Sequence, residues 1–150
     1  MMLSAYEYIM SKQIQWAKNR GLTLIGSEGD RGRPAYTQEL ALNLFSPLEE
    51  SSRNSFDYGN GNEIKSNSSK PGKMQAVHSS SALSVNVFQY WELIGQVSTI
   101  ASACGFCRKE SKISEEIRFE EKFPIKGIGG IPPNIDVVIH NAEESVFKRF

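Results

Sequence analysis

The chain has 150 residues, one domain's worth, enough to bury a core. Seventeen basic residues balance seventeen acidic ones, so no global field draws it to nucleic acid or a membrane, though a local basic stripe suffices for DNA. It lacks the roughly 18-residue apolar run of a membrane helix and the charged start and apolar core of a secretory leader, and two cysteines three apart cannot staple a fold, so a cytoplasmic location and no membrane partner are expected.

SAYEYIMSKQIQWAKNR (4–20) predicts a helix. Ser4 and Glu7 stand at the capping-box spacing, Tyr6, Ile9, Met10, Gln13 and Ala17 trace one face, and Gly21 stops it. LTLIGSEGDRGRP (22–34) is a short apolar run followed by a glycine-rich turn. Its Arg31 and Arg33 suit a phosphate, although the same letters make an ordinary solvated loop. YTQELALNLFSPLEE (36–50) predicts a second helix, capped by Thr37, with Leu40, Leu44 and Leu48 near one face. Residues 49–73 are dominated by Ser, Asn, Gly and charge, and read as a long polar loop anchored by Phe56, Tyr58 and Ile64. Gly72-Lys73 is followed by Met74, so no phosphate-binding G-K-[ST] is present and nucleotide-triphosphate binding is disfavoured.

The longest apolar stretch is 74–106. From a Ser80 or Ser81 cap, Leu83, Val87, Tyr90, Trp91 and Ile94 fall on one broad face that Val85 and Phe88 widen, which predicts a buried helix. Gly95 ends it and a further helical segment follows. Cys104-Gly-Phe-Cys107 has the spacing of a redox pair or half a zinc site. Helix-like sequence precedes it, and only His78 and His140 are available as further ligands, so two ordinary thiols fit better.

EIRFEEKFPIKGIGGIPPNIDVVI (116–139) reads as two strands joined by a Gly/Pro-rich connection. In the first, Ile117, Phe119 and Phe123 alternate with polar residues, and Glu121 breaks the alternation by falling on the apolar face. In the second, Ile135, Val137, Val138 and Ile139 are apolar on both faces around Asp136. A carboxylate inside a buried strand needs a proton, a cation or a metal ion, and two on neighbouring strands suggest a divalent-cation site. A last strand is expected from Val146-Phe147 to Phe150, with poorly covered apolar residues that favour self-association.

HSSSALSVNVFQYW, FEEKFPI and PPNIDVVI, in that order, resemble the PD-(D/E)XK nuclease superfamily, the restriction-endonuclease-like proteins. DRGRPAYTQELALNLFSPL and PGKM extend the likeness, which covers most of the chain from about Ser27 onward. The resemblance implies an α/β (α+β) fold in a single domain: a helical region at 1–48, the polar loop at 49–73, and a 74–150 helix-plus-strands region forming the start of an αβββ core with a mixed sheet. It implies Mg²⁺-dependent (or Mn²⁺-dependent) hydrolysis of DNA phosphodiesters, with Asp136 as first metal ligand and Glu120 or Glu121 as accessory. Pattern favours Glu120, and the face argument favours Glu121. Carboxylates suit Mg²⁺ because it is a hard cation that prefers oxygen. Duplex DNA is then the partner, with Arg31, Arg33 and Lys73 as candidate contacts.

One departure from the family pattern stands out. No Glu-x-Lys follows Asp136: Val146 stands two residues before Lys148, and Glu144 four. The expectation is therefore an N-terminal part of such a nuclease, cut before its catalytic lysine and weakly active or inactive alone. It would be completed by a second copy or by a partner supplying the missing strand. The alternative from another class is a non-catalytic nucleic-acid-binding or regulatory remnant.

Overall fold

The computed structural model describes residues 4–26, 35–59, 61–66, 70–106, 115–127, 129–130, 132–141 and 148–149. It is a mixed α+β arrangement of two compact units. One comprises Met1–Pro47 with Asn62–Leu83, the other Leu48–Gly61 with Ser84–Phe150.

In the first unit, α1 (Ala5–Asn19) starts on the anticipated capping box. Glu7 N–H donates to Ser4 Oγ at 3.2 Å, and Ser4 N–H donates to the Glu7 carboxylate at 2.9 Å. Gly21 takes φ 71°, a conformation only glycine adopts cheaply, and the helix ends there. The buried face is narrower than the sequence suggests: Met10 and Ala17 are buried, while Tyr6 and Ile9 are exposed.

The helix expected at 36–50 does not form. Tyr36–Thr37 is instead strand β2, pairing antiparallel with β1 (Leu24–Ile25), and Leu40–Asn43 is a single 3₁₀ turn. The reason is long-range. Thr37 is fully buried, its hydroxyl lies 2.8 Å from Glu39 O and 3.2 Å from Gln75 O, and Gln75 Nε2 donates back to Thr37 O at 2.9 Å. Asn43 Nδ2 donates to Met74 O and Ala76 O, both at 2.8 Å. A side-chain ladder to residues 74–76 thus satisfies groups that a helix would have satisfied locally.

In the second unit, α2 (Glu50–Tyr58) lies within the stretch that reads as a polar loop. Its propensity is poor, and Glu49 makes no side-chain cap. What holds it comes from elsewhere. Gln89, with no exposed surface, accepts the Glu49 N–H at 3.0 Å, and the Phe56 ring stacks on Phe119, centroids 5.5 Å apart and planes 16° from parallel.

The long helix α3 (Ser80–Leu93) and the shorter α4 (Val97–Ala103) are as expected, divided at Gly95 with φ 65°. The buried side of α3 is the other one, however. Ser81, Ala82, Val85 and Gln89 are buried, whereas Leu83, Val87, Tyr90 and Ile94 are exposed. With apolar residues all round, periodicity cannot choose a face. Two polar anchors do: Gln89 on Glu49, and Glu92, whose carboxylate accepts the Ile117 N–H at 3.2 Å.

The strands β3 (Glu115–Lys122), β4 (Asn134–Asn141) and β5 (Lys148–Arg149) form an antiparallel meander in the order β3-β4-β5; the sheets among the described residues are antiparallel, not mixed. Ile117, Phe119, Val137, Val138 and Ile139 are its buried apolar residues. Val146, Phe147 and Phe150 lie outside the described residues.

Candidate functional site

The β3–β4 ladder pairs each β3 residue from Glu115 to Lys122 except one. Phe119 faces Val137 and Glu121 faces Ile135, so the register sets Glu120 across from Asp136 at the gap. Glu120 has φ 51°, a left-handed conformation that is costly for a side chain with a Cβ and breaks regular pairing. It also inverts the phase of the strand. The Glu121 carboxylate joins Arg118 and His140 rather than continuing the apolar series of Ile117 and Phe119. The alternation rule placed Glu121 on the apolar face because it assumes an unbroken strand.

Glu120 packs against the end of α2. A Cβ built on Gly59 would lie 3.2 Å from Glu120 Cβ, so a side chain at 59 would push Glu120 away by a few tenths of an ångström. One Glu120 oxygen accepts from Asn134 Nδ2 at 3.0 Å. Asp136, expected inside a buried strand, is exposed. Val137, Val138 and Ile139 are buried as foreseen and Ile135 is half-buried, but the Asp136 carboxylate meets water and needs no compensating cation to be there. Among the described residues, no three His, Cys, Asp or Glu side chains gather closely enough to hold a metal ion.

Glu121 sits in a polar cluster. His140 Nε2 lies 2.6 Å from its Oε2, and Arg118 Nη1 lies 3.5 Å from its Oε1 while Nη2 reaches Glu116 at 2.9 Å. The Arg118 hydrogen bond holds the Glu116 carboxyl below the ordinary glutamate value, and the same contact pushes the Arg118 guanidinium up. Glu92 goes the other way: burial raises it, the Ile117 N–H offsets part of the rise, and the Glu116 and Glu49 charges add to it. This residue was missed in the sequence, where the available signal was that it is the sole charged side chain between Met74 and Phe106.

Both candidate glutamates line a cleft of about 500 Å³ with Arg118, Lys122, Tyr58 and Pro132. Lys122 Nζ stands 4.5 Å above the Tyr58 ring and donates to Tyr58 O at 3.0 Å. Tyr58 was read only as an apolar loop anchor, and Lys122 and Arg118 only as polar strand positions, since their convergence depends on α2, which the composition conceals.

Of the other candidates, Lys73 is paired with Glu63 at 3.2 Å in the first unit, while Arg31 and Arg33 lie outside the described residues. Cys104 is a half-buried free thiol and Cys107 lies outside the described residues. No helix among the described residues is long and apolar enough to cross a membrane. No family model matches the chain, and no curated protein or solved structure matches it either.

Proposed function

We propose that this chain carries the acidic pair of a restriction-endonuclease-like, Mg²⁺-dependent DNA phosphodiester hydrolase, and that its 150 residues alone bind DNA with little or no hydrolysis. The observation that carries the reading is topological. A helix leads into an antiparallel meander, and Asp136 on the central strand stands across from Glu120 at the one gap in the β3–β4 ladder. The register favours Glu120 over Glu121 as the accessory ligand, because Glu120 stands across from Asp136 whereas Glu121 pairs with Ile135.

The donor set fits the group. Mg²⁺ is commonly held by one or two carboxylates plus substrate phosphate oxygens, with no all-protein cage, so a pair suffices. Asp136 and Glu120 would hold it, with the Asn134 amide orienting Glu120. When bound, the ion supplies Lewis acidity toward the scissile phosphate and lowers the pKa of an attacking water. The residues themselves bind and orient, and no Glu-x-Lys stands between Asp136 and Phe150 to add a lysine that stabilises developing charge.

The test is a plasmid-nicking assay with purified protein, paired with retention on duplex DNA at low salt. The reading expects salt-sensitive retention without Mg²⁺-dependent nicking, and nicking gained on appending a strand that carries Glu-x-Lys. Strong nicking by the unextended chain, abolished by Asp136→Ala, would refute the inactivity. No gain on extension would count against the family, and DNA retention indifferent to Asp136→Ala and Mg²⁺ would leave the non-catalytic binding reading in its place.

A further inference from the structure

The cleft beside Glu120 has a chemical make-up that the acidic pair does not account for. Tyr58, at the end of α2, is 74% exposed although its ring lines the cleft, and Pro132 adds a second flat apolar surface. Lys122 brings a cation to the same walls, where Arg118 is held by Glu116 and Glu121, and Glu120 brings a carboxylate acceptor. We propose that this cleft takes a single unstacked nucleotide, its base against Tyr58 and its phosphate toward Lys122. The proposal rests on the reading above for the phosphate's position beside Glu120, and deepens it by naming the form of substrate.

Three features of such a ligand match the three features of the walls. A base has a π face for the Tyr58 ring, and aromatic stacking of this kind tolerates any base. Its edge offers N–H donors, which carboxylates accept. Its phosphate is an anion for the Lys122 ammonium. An acidic peptide would set its own carboxylates against Glu120 and Glu121, and a basic one would meet Arg118 and Lys122. Duplex DNA hides its base faces within the stack, so the ring can receive only a strand end or an extruded base. About 500 Å³ is room for one nucleotide and not for a paired segment.

The experiment is an NMR titration of the whole chain with thymidine 5′-monophosphate, 2-deoxyribose 5-phosphate and inorganic phosphate, each with and without MgCl₂. Thymidine monophosphate is expected to bind most tightly and to shift the Tyr58 ring resonances. Tyr58→Ala should weaken it about five-fold or more while leaving deoxyribose phosphate unchanged. Tyr58→Phe, which keeps the ring, should retain binding, and Lys122→Gln should weaken all three phosphates. Equal affinity for thymidine monophosphate and deoxyribose phosphate, no binding of either, or indifference to Tyr58→Ala would each overturn the proposal. Base-dependent binding unaffected by Mg²⁺ and by Asp136→Asn would uphold the cleft and count against the acidic pair.

Discussion

Removing the Phe119 ring is the sharpest probe of the second unit. Phe119 is 1% exposed and Phe56 is 2% exposed, and their stacked rings tie a helix of weak propensity to the strand that carries Glu120. Phe119→Ala should cost about 3–5 kcal/mol from lost transfer energy and the cavity left behind. That is a large share of the roughly 5–15 kcal/mol that stabilises a typical domain. With an m-value near 2 kcal/mol/M, the urea midpoint should fall by about 2 M. A gentler Phe119→Leu, about 1–2 kcal/mol, keeps the measurement open if the alanine variant does not fold. The decisive number is the coupling in a double-mutant cycle of Phe56→Leu with Phe119→Leu. The stack predicts about 0.5–1.5 kcal/mol beyond additivity. Additive effects, or a Phe119→Ala cost below about 1 kcal/mol, would mean that α2 is not held to β3 by this pair.

Three further outcomes follow from the same geometry. Glu92→Gln keeps an oxygen for the Ile117 N–H and removes a carboxyl whose value is raised chiefly by burial. A raised carboxyl stabilises fully only below its unfolded value, and loses that stability as pH rises through its folded one. The variant should therefore gain on the parent at neutral pH, with the gain shrinking below the ordinary 4.5 of a glutamate; urea titrations at both pH values check this. Arg118→Gln removes the partner that holds Glu116 down. Glu116 contributes above its unfolded value and loses that contribution as pH falls through its lower folded one, so the cost should fade in acid and in high salt. With the side chains 46% and 54% exposed, the loss should stay below about 1 kcal/mol. Gly59→Ala brings a methyl to within 3.2 Å of Glu120 Cβ, and the Glu120 and Asn134 amide resonances should shift together while α1 signals stay put.

How much of this was legible depended on where each element's partners lie. Helix α1 was readable to within a residue because its capping box and its terminal glycine are adjacent in sequence. The strands β3 and β4 were readable because apolar runs and a Gly/Pro-rich connection bound them. Helix α2 was not, since what stabilises it, Gln89 and Phe119, lies at least 31 residues from its end, a distance that composition does not cross. The failed helix at 36–50 has the same cause, as Thr37 and Asn43 answer to residues 74–76. At the site, the residue types were visible and their facing was not. The Asp136 carboxylate and the two glutamates could be picked out, but one left-handed residue reverses the alternation used to orient them.

The second unit is discontinuous along the chain, with Leu48–Gly61 contributing α2 and the remainder arriving only from Ser84. During synthesis, Phe56 therefore emerges about 60 residues before the ring it stacks on, and α2, too short and too polar to persist alone, lacks its apolar partner until β3 follows. A fragment that begins at Ser84 leaves Phe119 bare and Gln89 without the amide it receives. The smallest piece able to form the cleft must include residues 48–61, although the strand sequence on its own marks a core that starts later.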